Sequence, residues 1–534
     1  MSSRYPLPGE PRPRRAAVLL ALLALLISGC ATTGGGGAPP ADAPRTLTLA
    51  TGFAIDDLDP LESGYWGPEF GYVELLMRPE REGEPSPWVL AELTNPEPLS
   101  WVLRLDEGIT FQNGAPLDGA ALAALLTFQL AENPDFAGGL PGATAAATGP
   151  LEATLTTSRP APNVPALLAD EAMVPVYDVA AYQRHRASGA PAADLVAAGL
   201  FTAPYVVDSL DSESMQLSPR ADHRGGPPAL QDLTVRFVPE VSARLQAVQA
   251  GEADIALYPP TASAPTLRAR EDSFFLTGRP VGPTFVLEFN QRAAPFDDPL
   301  VRRAVYAAID YEQLATQVMN GLYEPATGLY TDARPWAEKT QRTDTAAAGA
   351  LLDRAGWTRA GDGPRSRAGA PLAFSMLTYP QQPDSDALAL AVQAQLAQLG
   401  IAVQIRQVPD IQSAVAETTG WQASVRGNGL ISFGGDYLTP LVNNLRSDGP
   451  SNVTGVADPA LDALIDRVAV ELDPAARDAL LRDIQRTVAD NGYLGYLGTR
   501  LPAVVAGPAW RGYPVPISNL WVDARTAPSA TPTR

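Results

Sequence analysis

Cysteine and histidine are nearly absent from this chain of 534 residues, which contains one cysteine, Cys30, and two histidines, His185 and His223. No disulfide bond can form within the chain, and no zinc site of the Cys or Cys/His type can be built. The fold must therefore be held by an apolar core, for which 46% apolar residues are ample. Acidic residues outnumber basic residues by 59 to 39, which argues against a nucleic-acid-binding protein because such proteins need a basic face.

The first thirty residues have the organisation of a bacterial export signal. Arg12, Arg14 and Arg15 precede an apolar run over residues 16–27, which is short for a membrane span and typical of a signal peptide. The run ends in Leu26-Ile27-Ser28-Gly29-Cys30, which resembles the lipobox, where cleavage leaves a lipidated cysteine as the first residue. The alternative is a short buried helix with a chance core cysteine.

This motif predicts the organisation of both chain ends. We expect a signal peptide over 1–29 and a lipidated flexible tether over 30–44, rich in Gly, Ala and Pro. Residues 526–534 are small and polar, so we expect a frayed tail. A lipid on Cys30 would anchor the protein to the cell membrane on its extracytoplasmic side. Whether export uses the general or the twin-arginine route stays open.

The folded body is predicted to alternate strands and helices. Short runs of β-branched or alternating apolar residues predict strands over Thr46–Ala50, Trp101–Leu105, Thr234–Val238, Thr284–Phe289, Leu372–Leu377 and Ile401–Val408. Asp-Pro pairs at 298–299, 458–459 and 473–474 predict helix starts, with the aspartate as cap and the proline at the first helical position. At this length the pattern predicts an α/β protein with more than one lobe.

Motifs of common enzymes are missing. The sequence contains no H-E-x-x-H, no Gly-x-Ser-x-Gly, no phosphate loop and no dinucleotide-binding glycine motif after a strand. His185 and His223 lie in polar, loop-like stretches, so we expect both to be exposed to solvent. Chemistry by carboxylates alone stays open, because 59 acidic residues offer many pairs. An exported chain without catalytic motifs favours ligand capture over catalysis.

Five segments together resemble one family, the extracellular solute-binding proteins of family 5. One segment, at 100–117, reads Ser-Trp-Val-Leu-Arg-Leu-Asp-Glu-Gly-Ile-Thr-Phe-Gln-Asn-Gly-Ala-Pro-Leu. Another, at 289–310, contains Pro-Phe-Asp-Asp-Pro-Leu-Val-Arg-Arg-Ala. The others lie at 200–205 with 251–255, at 355–357 and at 452–455. Members of this family are the receptors of peptide, nickel and opine ABC importers. The matching segments are spread over the mature chain and follow one another in the family's order. They identify the family but not the ligand.

The resemblance implies a two-lobed fold of the periplasmic-binding-protein type, class II, with a hinge between the lobes and a small inserted domain. The first lobe is expected to be discontinuous, over 45–85, 199–285 and 490–525. The inserted domain is expected over 86–198 and the second lobe over 286–489. A protein of this fold closes over its ligand and needs no catalysis.

The family's ligand pocket lies between the lobes, and the resemblance places two segments of this chain there. The early segment, 56–72, contains Tyr65 and Trp66, followed by Phe70 and Tyr72. The late segment, 421–445, contains the remaining candidates, which are Trp421, Arg426, Asn428, Phe433, Asp436 and Tyr437. Aromatic residues with one Arg and one Asp suit a zwitterionic or amphipathic ligand, although each ring could equally belong to the core.

Asp436 is the candidate with the most specific role. The stretch 431–437 resembles the segment in which peptide-binding relatives present an aspartate to the α-ammonium group of the ligand. It departs from their usual Trp-x-x-Asp-Tyr, because Phe433-Gly434-Gly435 fills the first three positions. The alternative is a solvated loop aspartate.

We therefore expect a substrate-binding lipoprotein that captures oligopeptides or related small organic solutes and delivers them to an ABC permease with its ATPase. We expect a monomer that is not an enzyme and has no cofactor, no metal ligands of its own and no nucleic-acid partner. The first alternative is a receptor of the same fold for a metal chelate held by its organic part, since both pocket segments lack histidine. A sensor or a secreted hydrolase is the remaining alternative.

Overall fold

The computed structural model describes residues 45–80, 84–280, 282, 284–432, 434–517 and 519–528. The expected signal peptide, the tether with Cys30, and all but three residues of the expected tail lie outside these ranges. No helix within them is both long and apolar enough to cross a membrane. Three large sheets organise this part of the chain.

The seven-stranded sheet is built around the first strand of the folded body. Its strands, in spatial order, are Phe274–Thr277, Ala503–Ala506, Ile255–Leu257, Thr46–Thr51, Asp232–Phe237, Ser214–Pro219 and Tyr205–Leu210. Thr46–Thr51 pairs in parallel with both neighbours, and Leu49 lies opposite Val235 on one side and Ile255 on the other. All three side chains are buried, so this strand forms the centre of the first core. The strand predicted at Thr46–Ala50 is confirmed.

The six-stranded sheet carries the second core. Its strands, in spatial order, are Tyr323–Pro325, Gly495–Arg500, Phe285–Phe289, Ala423–Gly427, Ala373–Thr378 and Ala402–Gln407. Every residue of Phe285–Phe289 is buried, which is typical of a central strand covered on both faces. The principal helices of this half are Pro299–Ala308, Thr345–Arg354, Pro383–Gln398, Leu438–Leu445, Pro459–Val468 and Pro474–Asn491.

The predicted Asp-Pro helix starts are confirmed. Asp298, Asp458 and Asp473 each accept hydrogen bonds from backbone N–H groups in the first turn of their helices. These groups have no partner within the helix, so the aspartates stabilise the helix ends.

A smaller antiparallel sheet lies in the range expected for the inserted domain. Its strands are Leu90–Glu97, Ser100–Leu105, Glu152–Thr156 and Thr144–Gly149, and helix Gly119–Glu132 packs against it. Trp101, Leu103 and Leu105 alternate along one strand and are all buried, as the sequence predicts.

The remaining elements are short. The helices are Trp66–Phe70, Pro134–Gly139, Val164–Leu167, Val179–Ser188, Val241–Ala250, Ala264–Arg268, Tyr311–Gln313 and Ile411–Ala416. Single turns of other helix types occupy Ala192–Ala198, Thr261–Ser263, Leu314–Val318 and Pro508–Trp510. The short strands are Met77–Arg78, Ser86–Pro87, Thr358–Arg359, Arg365–Arg367 and Ala370–Pro371.

The chain crosses between the seven-stranded and the six-stranded sheet at two places. The first passage follows Phe274–Thr277 and ends at Phe285–Phe289, near the expected boundary at 285. The second passage lies further along the chain than the expected position near residue 490. The reason is that Gly495–Arg500 still belongs to the six-stranded sheet. Tyr496 lies opposite Val286 and is buried in the second core, so the passage falls at residues 501–502.

Both histidines differ from the expectation of exposed loop residues. His185 lies in helix Val179–Ser188 and is half-buried. His223 is only 9% exposed, and its Nε2 lies 3.3 Å from the buried Glu74 carboxylate. Arg224 donates to the same carboxylate at 2.5 Å, and the Thr202 hydroxyl donates at 3.0 Å. The expectation was wrong for His223 because its partner is distant in sequence and invisible to a local pattern.

Candidate functional site

The loop around Asp436 contacts the segment that follows helix Val164–Leu167. The backbone N–H of Gly434 donates to Asp170 Oδ2 at 3.3 Å. A Cβ atom on Gly434 would lie 2.4 Å from the carbonyl oxygen of Ala166, so the approach requires glycine. Gly435 follows with φ of 90°, a left-handed conformation that glycine adopts at little cost. The two glycines therefore form a tight turn that brings the six-stranded half against the 166–171 segment.

Asp436 is buried at this contact. Its side chain is 3% exposed, and Oδ1 accepts the backbone N–H groups of Leu438 at 2.9 Å and Thr439 at 3.3 Å. Burial raises the pKa of the Asp436 carboxyl to about 6, the hydrogen bonds from Thr439 and Leu438 oppose this rise, and Asp170 adds to it. Within the described ranges, no Arg, Lys or His nitrogen lies within 4 Å of the carboxylate. Within that part of the chain, the charge of Asp436 therefore has no cationic partner.

Four buried carboxyl groups form what we call the acidic strip, which consists of Glu69, Asp170, Glu171 and Asp436. Burial raises the pKa of Glu69 to about 8 and raises that of Glu171 well above its ordinary range, with Glu69 and Asp170 adding to the latter effect. The described residues provide no ion pair to any member of the strip. Neighbouring buried acids without cations favour the binding of either protons or a cationic ligand.

Aromatic rings adjoin one end of the acidic strip. We call them the aromatic platform, which consists of Phe53, Tyr65, Trp66, Tyr258 and Trp521. Successive ring centroids lie 4.7 Å apart for Tyr65 and Trp66, 5.5 Å for Trp66 and Phe53, 5.3 Å for Phe53 and Tyr258, and 5.6 Å for Tyr258 and Trp521.

The platform is both open to solvent and joined to the strip. Phe53 is 50% exposed and Tyr65 is 39% exposed, although both rings contact neighbouring rings. Large apolar rings exposed together in this way are typical of binding surfaces. The Tyr258 hydroxyl donates to Glu69 Oε2 at 3.4 Å. Exposed ring faces next to buried acids can hold the organic part and the charge of one cationic ligand.

Four of the residues predicted from sequence lie at this site. Tyr65 and Trp66 are members of the platform, and Asp436 belongs to the strip. Tyr437 follows Asp436, is largely buried, and packs its ring 5.1 Å from that of Trp336. Phe433 lies outside the described residues, while Phe70 and Tyr72 of the early segment are fully buried core residues.

The other three predicted residues are engaged inside the six-stranded half. Arg426 binds Glu288 through two hydrogen bonds of 2.8 Å, and Asn428 Nδ2 lies 3.3 Å from the same carboxylate. Trp421 is buried in a small core cluster and donates from Nε1 to the Glu417 carbonyl oxygen at 2.9 Å. The charge of Arg426 is thus balanced by Glu288 on the neighbouring strand.

Sequence reasoning missed most of the site. Glu69 falls within the early segment but carries no distinguishing pattern, and Asp170 and Glu171 lie in the range assigned to the inserted domain. Phe53, Tyr258 and Trp521 come from three distant parts of the chain. No local signal identifies them, because only the fold brings them together.

The acidic strip does not have the arrangement of a metal site. Among the residues that the structure describes, no three His, Cys, Asp or Glu side chains converge in a way that could hold a metal ion.

Three known proteins are similar to this chain over long stretches. Protein XP55 of Streptomyces lividans is 30% identical over 309 residues, which cover 55% of this chain and 54% of that protein. The nickel-binding protein NikA of Staphylococcus aureus is 22% identical over 468 residues, covering 86% of this chain and 89% of that protein. The solved structure of the oligopeptide-binding protein AppA of Bacillus subtilis, in complex with a nonapeptide, superposes with a TM-score of 0.65 at 17% identity. It covers 88% of this chain and 95% of that chain.

These similarities establish the fold and the family. The superposition shows that the two-lobed solute-binding fold, implied by the resemblance, is correct. Residues 84–447, more than half of the chain, match the bacterial extracellular solute-binding proteins, family 5 Middle. Such proteins bind solutes, which supports the expectation of a binding protein rather than an enzyme. The chain belongs to the bacterial extracellular solute-binding proteins of family 5.

Proposed function

We propose that this protein is the substrate-binding component of an ABC importer and captures peptides or related amine-bearing organic solutes outside the cytoplasm. It would deliver them to a permease driven by ATPase subunits. The observation that carries this proposal is Asp436, a buried carboxyl that has no cationic partner among the described residues and lies where the two halves of the site meet. A buried carboxylate needs a cation, and the ammonium group of a ligand supplies one.

The two halves suggest how the ligand is enclosed. We propose lobes over 45–85, 199–285 and 502–525 on one side and 286–501 on the other, with 86–198 as the inserted domain. The second hinge passage in this division lies at residues 501–502 rather than at the expected residue 490, because the strands on either side of 501–502 belong to different sheets. Binding of a ligand between the lobes is expected to lower the radius of gyration in solution scattering and to raise the melting temperature.

Calorimetric titration with two forms of one peptide tests the role of Asp436. We expect Asp436→Asn to weaken binding of trialanine with a free amine by about 2–4 kcal/mol, the range for breaking a desolvated charge pair. The substitution should barely affect N-acetyl-trialanine, which has no ammonium group. Asp106→Asn, at an exposed position just after strand Ser100–Leu105, is the matched control. Equal losses for both peptides would remove Asp436 from the ammonium site.

A metal chelate is the second candidate ligand. It is favoured by the similarity to the nickel-binding protein NikA over 86% of this chain. The chelate would be bound through its organic part, since the described residues provide no metal cluster. Titration with nickel(II) alone and with nickel(II) plus free histidine separates the candidates. Binding of the histidine complex, with no response to either peptide, would replace the peptide proposal.

We also propose that the mature protein is anchored to the membrane by a lipid on Cys30. The support is the charged, apolar and small-residue pattern that precedes this cysteine. Cys30→Ser is expected to move the protein into the soluble fraction with ligand binding retained. Tight membrane association of the intact variant would contradict the anchor.

A further inference from the structure

Glu69 and Glu171, at the platform end of the acidic strip, are left without a role by the proposed ammonium site at Asp436. Glu69 lies in helix Trp66–Phe70, and Glu171 lies beside Asp170, which contacts the Asp436 loop. Both carboxyl groups are buried, and Glu69 adds to the rise in the pKa of Glu171 that burial causes. Two such neighbours, without a cation among the described residues, are costly unless protons or a bound cation occupy the site.

The groups around Glu69 come from several elements, and among the residues that the structure describes none of them is cationic. The Tyr258 hydroxyl donates to the Glu69 carboxylate at 3.4 Å, and Trp521 Nε1 donates to the Tyr258 hydroxyl at 3.3 Å. Glu171 and Asp170 are the neighbouring acids, and Tyr65 is a titratable neighbour whose pKa is raised chiefly by burial and further by both glutamates. The described surroundings of the pair therefore contribute polar donors and further acids.

A buried hydroxyl close to this pair provides an independent observation. Tyr72 is 1% exposed, and its hydroxyl group has no hydrogen-bond partner among the residues that the structure describes. Among the charges around this hydroxyl, that of Glu69 acts most strongly on it, followed by that of Asp57. Buried hydroxyl groups almost always have a partner, so this unpartnered one is available to a polar group of a ligand.

The platform supplies the surface on which such a group would rest. The rings of Phe53 and Tyr65 are exposed, although the polar edge of the platform reaches Glu69 through Tyr258. Ammonium and guanidinium groups bind over aromatic faces, and a guanidinium plane also stacks on them. A cation on the platform would lie beside the glutamate pair.

We propose that Glu69, Glu171 and the aromatic platform form a second cation subsite, which takes an ammonium or guanidinium side chain of the ligand. This inference rests on the proposed function and narrows its substrate class. The favoured ligands are peptides or amines with two positive groups, one at Asp436 and one at the glutamate pair. Arginine and lysine peptides are the simplest members of this class.

Titration with peptides that differ only in side-chain charge tests the subsite. The probes are tripeptides of alanine with arginine at the first, second or third position, each compared with its citrulline counterpart, which has the same shape without the charge. We expect at least one arginine peptide to bind about tenfold more tightly than its counterpart. Glu171→Gln should abolish this difference in affinity between the arginine and citrulline peptides. Glu107→Gln, at an exposed position, is the matched control.

Proton release gives a second readout that a merely structural role would not change. Burial raises the pKa of Glu69 to about 8, so this carboxyl holds a proton at pH 7 in the free protein. A bound cation favours the ionised form, so the arginine peptide should release more protons than the citrulline peptide, measured in buffers of different ionisation enthalpy. Glu69→Gln, which imitates the protonated form, should remove the difference and serves if Glu171→Gln fails to fold.

The outcomes separate this inference from the proposed function. Equal affinities of arginine and citrulline peptides at all three positions would overturn the second subsite and leave a peptide receptor with one ammonium site. An arginine preference that survives both glutamine variants would also overturn it. Absence of binding for all six peptides would overturn the peptide proposal and the subsite together.

Discussion

Asp436→Asn is expected to make the ligand-free protein more stable at neutral pH. Burial raises the pKa of this carboxyl from 3.8 to about 6, a difference of about two pH units, which corresponds to about 3 kcal/mol. The asparagine oxygen can still accept the N–H groups of Leu438 and Thr439, but as a weaker, uncharged acceptor at a cost of about 1 kcal/mol. The net gain at pH 7 is therefore about 2 kcal/mol.

The pH dependence distinguishes this explanation from an ordinary packing effect. Below about pH 4 the carboxyl is protonated in both states and costs the folded protein nothing. Between pH 4 and 6 the unfolded chain loses the proton while the folded protein retains it, so the free energy of unfolding falls by about 1.4 kcal/mol per pH unit. Above pH 6 the penalty is constant. The gain from Asp436→Asn should therefore vanish near pH 4 and be complete above pH 6.

Urea unfolding, monitored by tryptophan fluorescence at pH 4, 5, 6 and 7, measures this dependence for both proteins. Asp106→Asn, at an exposed site, is the control and should change little at any pH. A variant that is less stable than the wild type at pH 7, with the same slope between pH 4 and 6, would refute the reasoning. It would mean that the Asp436 carboxylate is already satisfied without a ligand.

Three further predictions concern buried pairs and the closest contact at the site. Glu74→Gln should lower the free energy of unfolding by about 3 kcal/mol at pH 7, because it leaves Arg224 without its buried partner. The pKa of Glu74 is lowered in the folded protein, so its stabilising effect is lost as the pH falls below about 4.5. The stability difference between wild type and Glu74→Gln, measured by urea unfolding, should therefore shrink below that pH. Glu288→Leu and Arg426→Met together should cost less than the sum of the single changes, because each single change leaves a buried charge; additive losses would contradict this. Gly434→Ala should reduce the free energy of trialanine binding by more than it reduces the free energy of unfolding, because the new Cβ would force the loop away from the 166–171 segment. An unchanged affinity for trialanine would contradict this.

Much of the fold is predictable from local patterns. Strand positions follow from apolar alternation, and helix starts follow from Asp298, Asp458 and Asp473, whose capping bonds are made within a few residues. The hinge passage at 501–502 is not predictable in this way, because Gly495–Arg500 owes its place to pairing with a strand about two hundred residues earlier.

The site is less predictable than the fold, since it depends on burial and on distant partners. Asp436 is identifiable because it lies in a family segment, but its lack of a cation becomes visible only in three dimensions. Arg426 illustrates the opposite case, because its sequence position suggests a ligand contact while Glu288, far along the chain, accepts hydrogen bonds from its Nε and Nη2. Glu171 has no sequence signal at all, and its neighbour Glu69 is a hundred residues away.

Native mass spectrometry of the protein purified from its own host tests the central claim most directly, because it weighs the bound solute. We expect the wild-type protein to carry an organic solute with at least one amine or guanidinium group, and Asp436→Asn to lose most of it while Asp106→Asn retains it. A bound solute without any cationic group, or one retained equally by Asp436→Asn, would contradict the account.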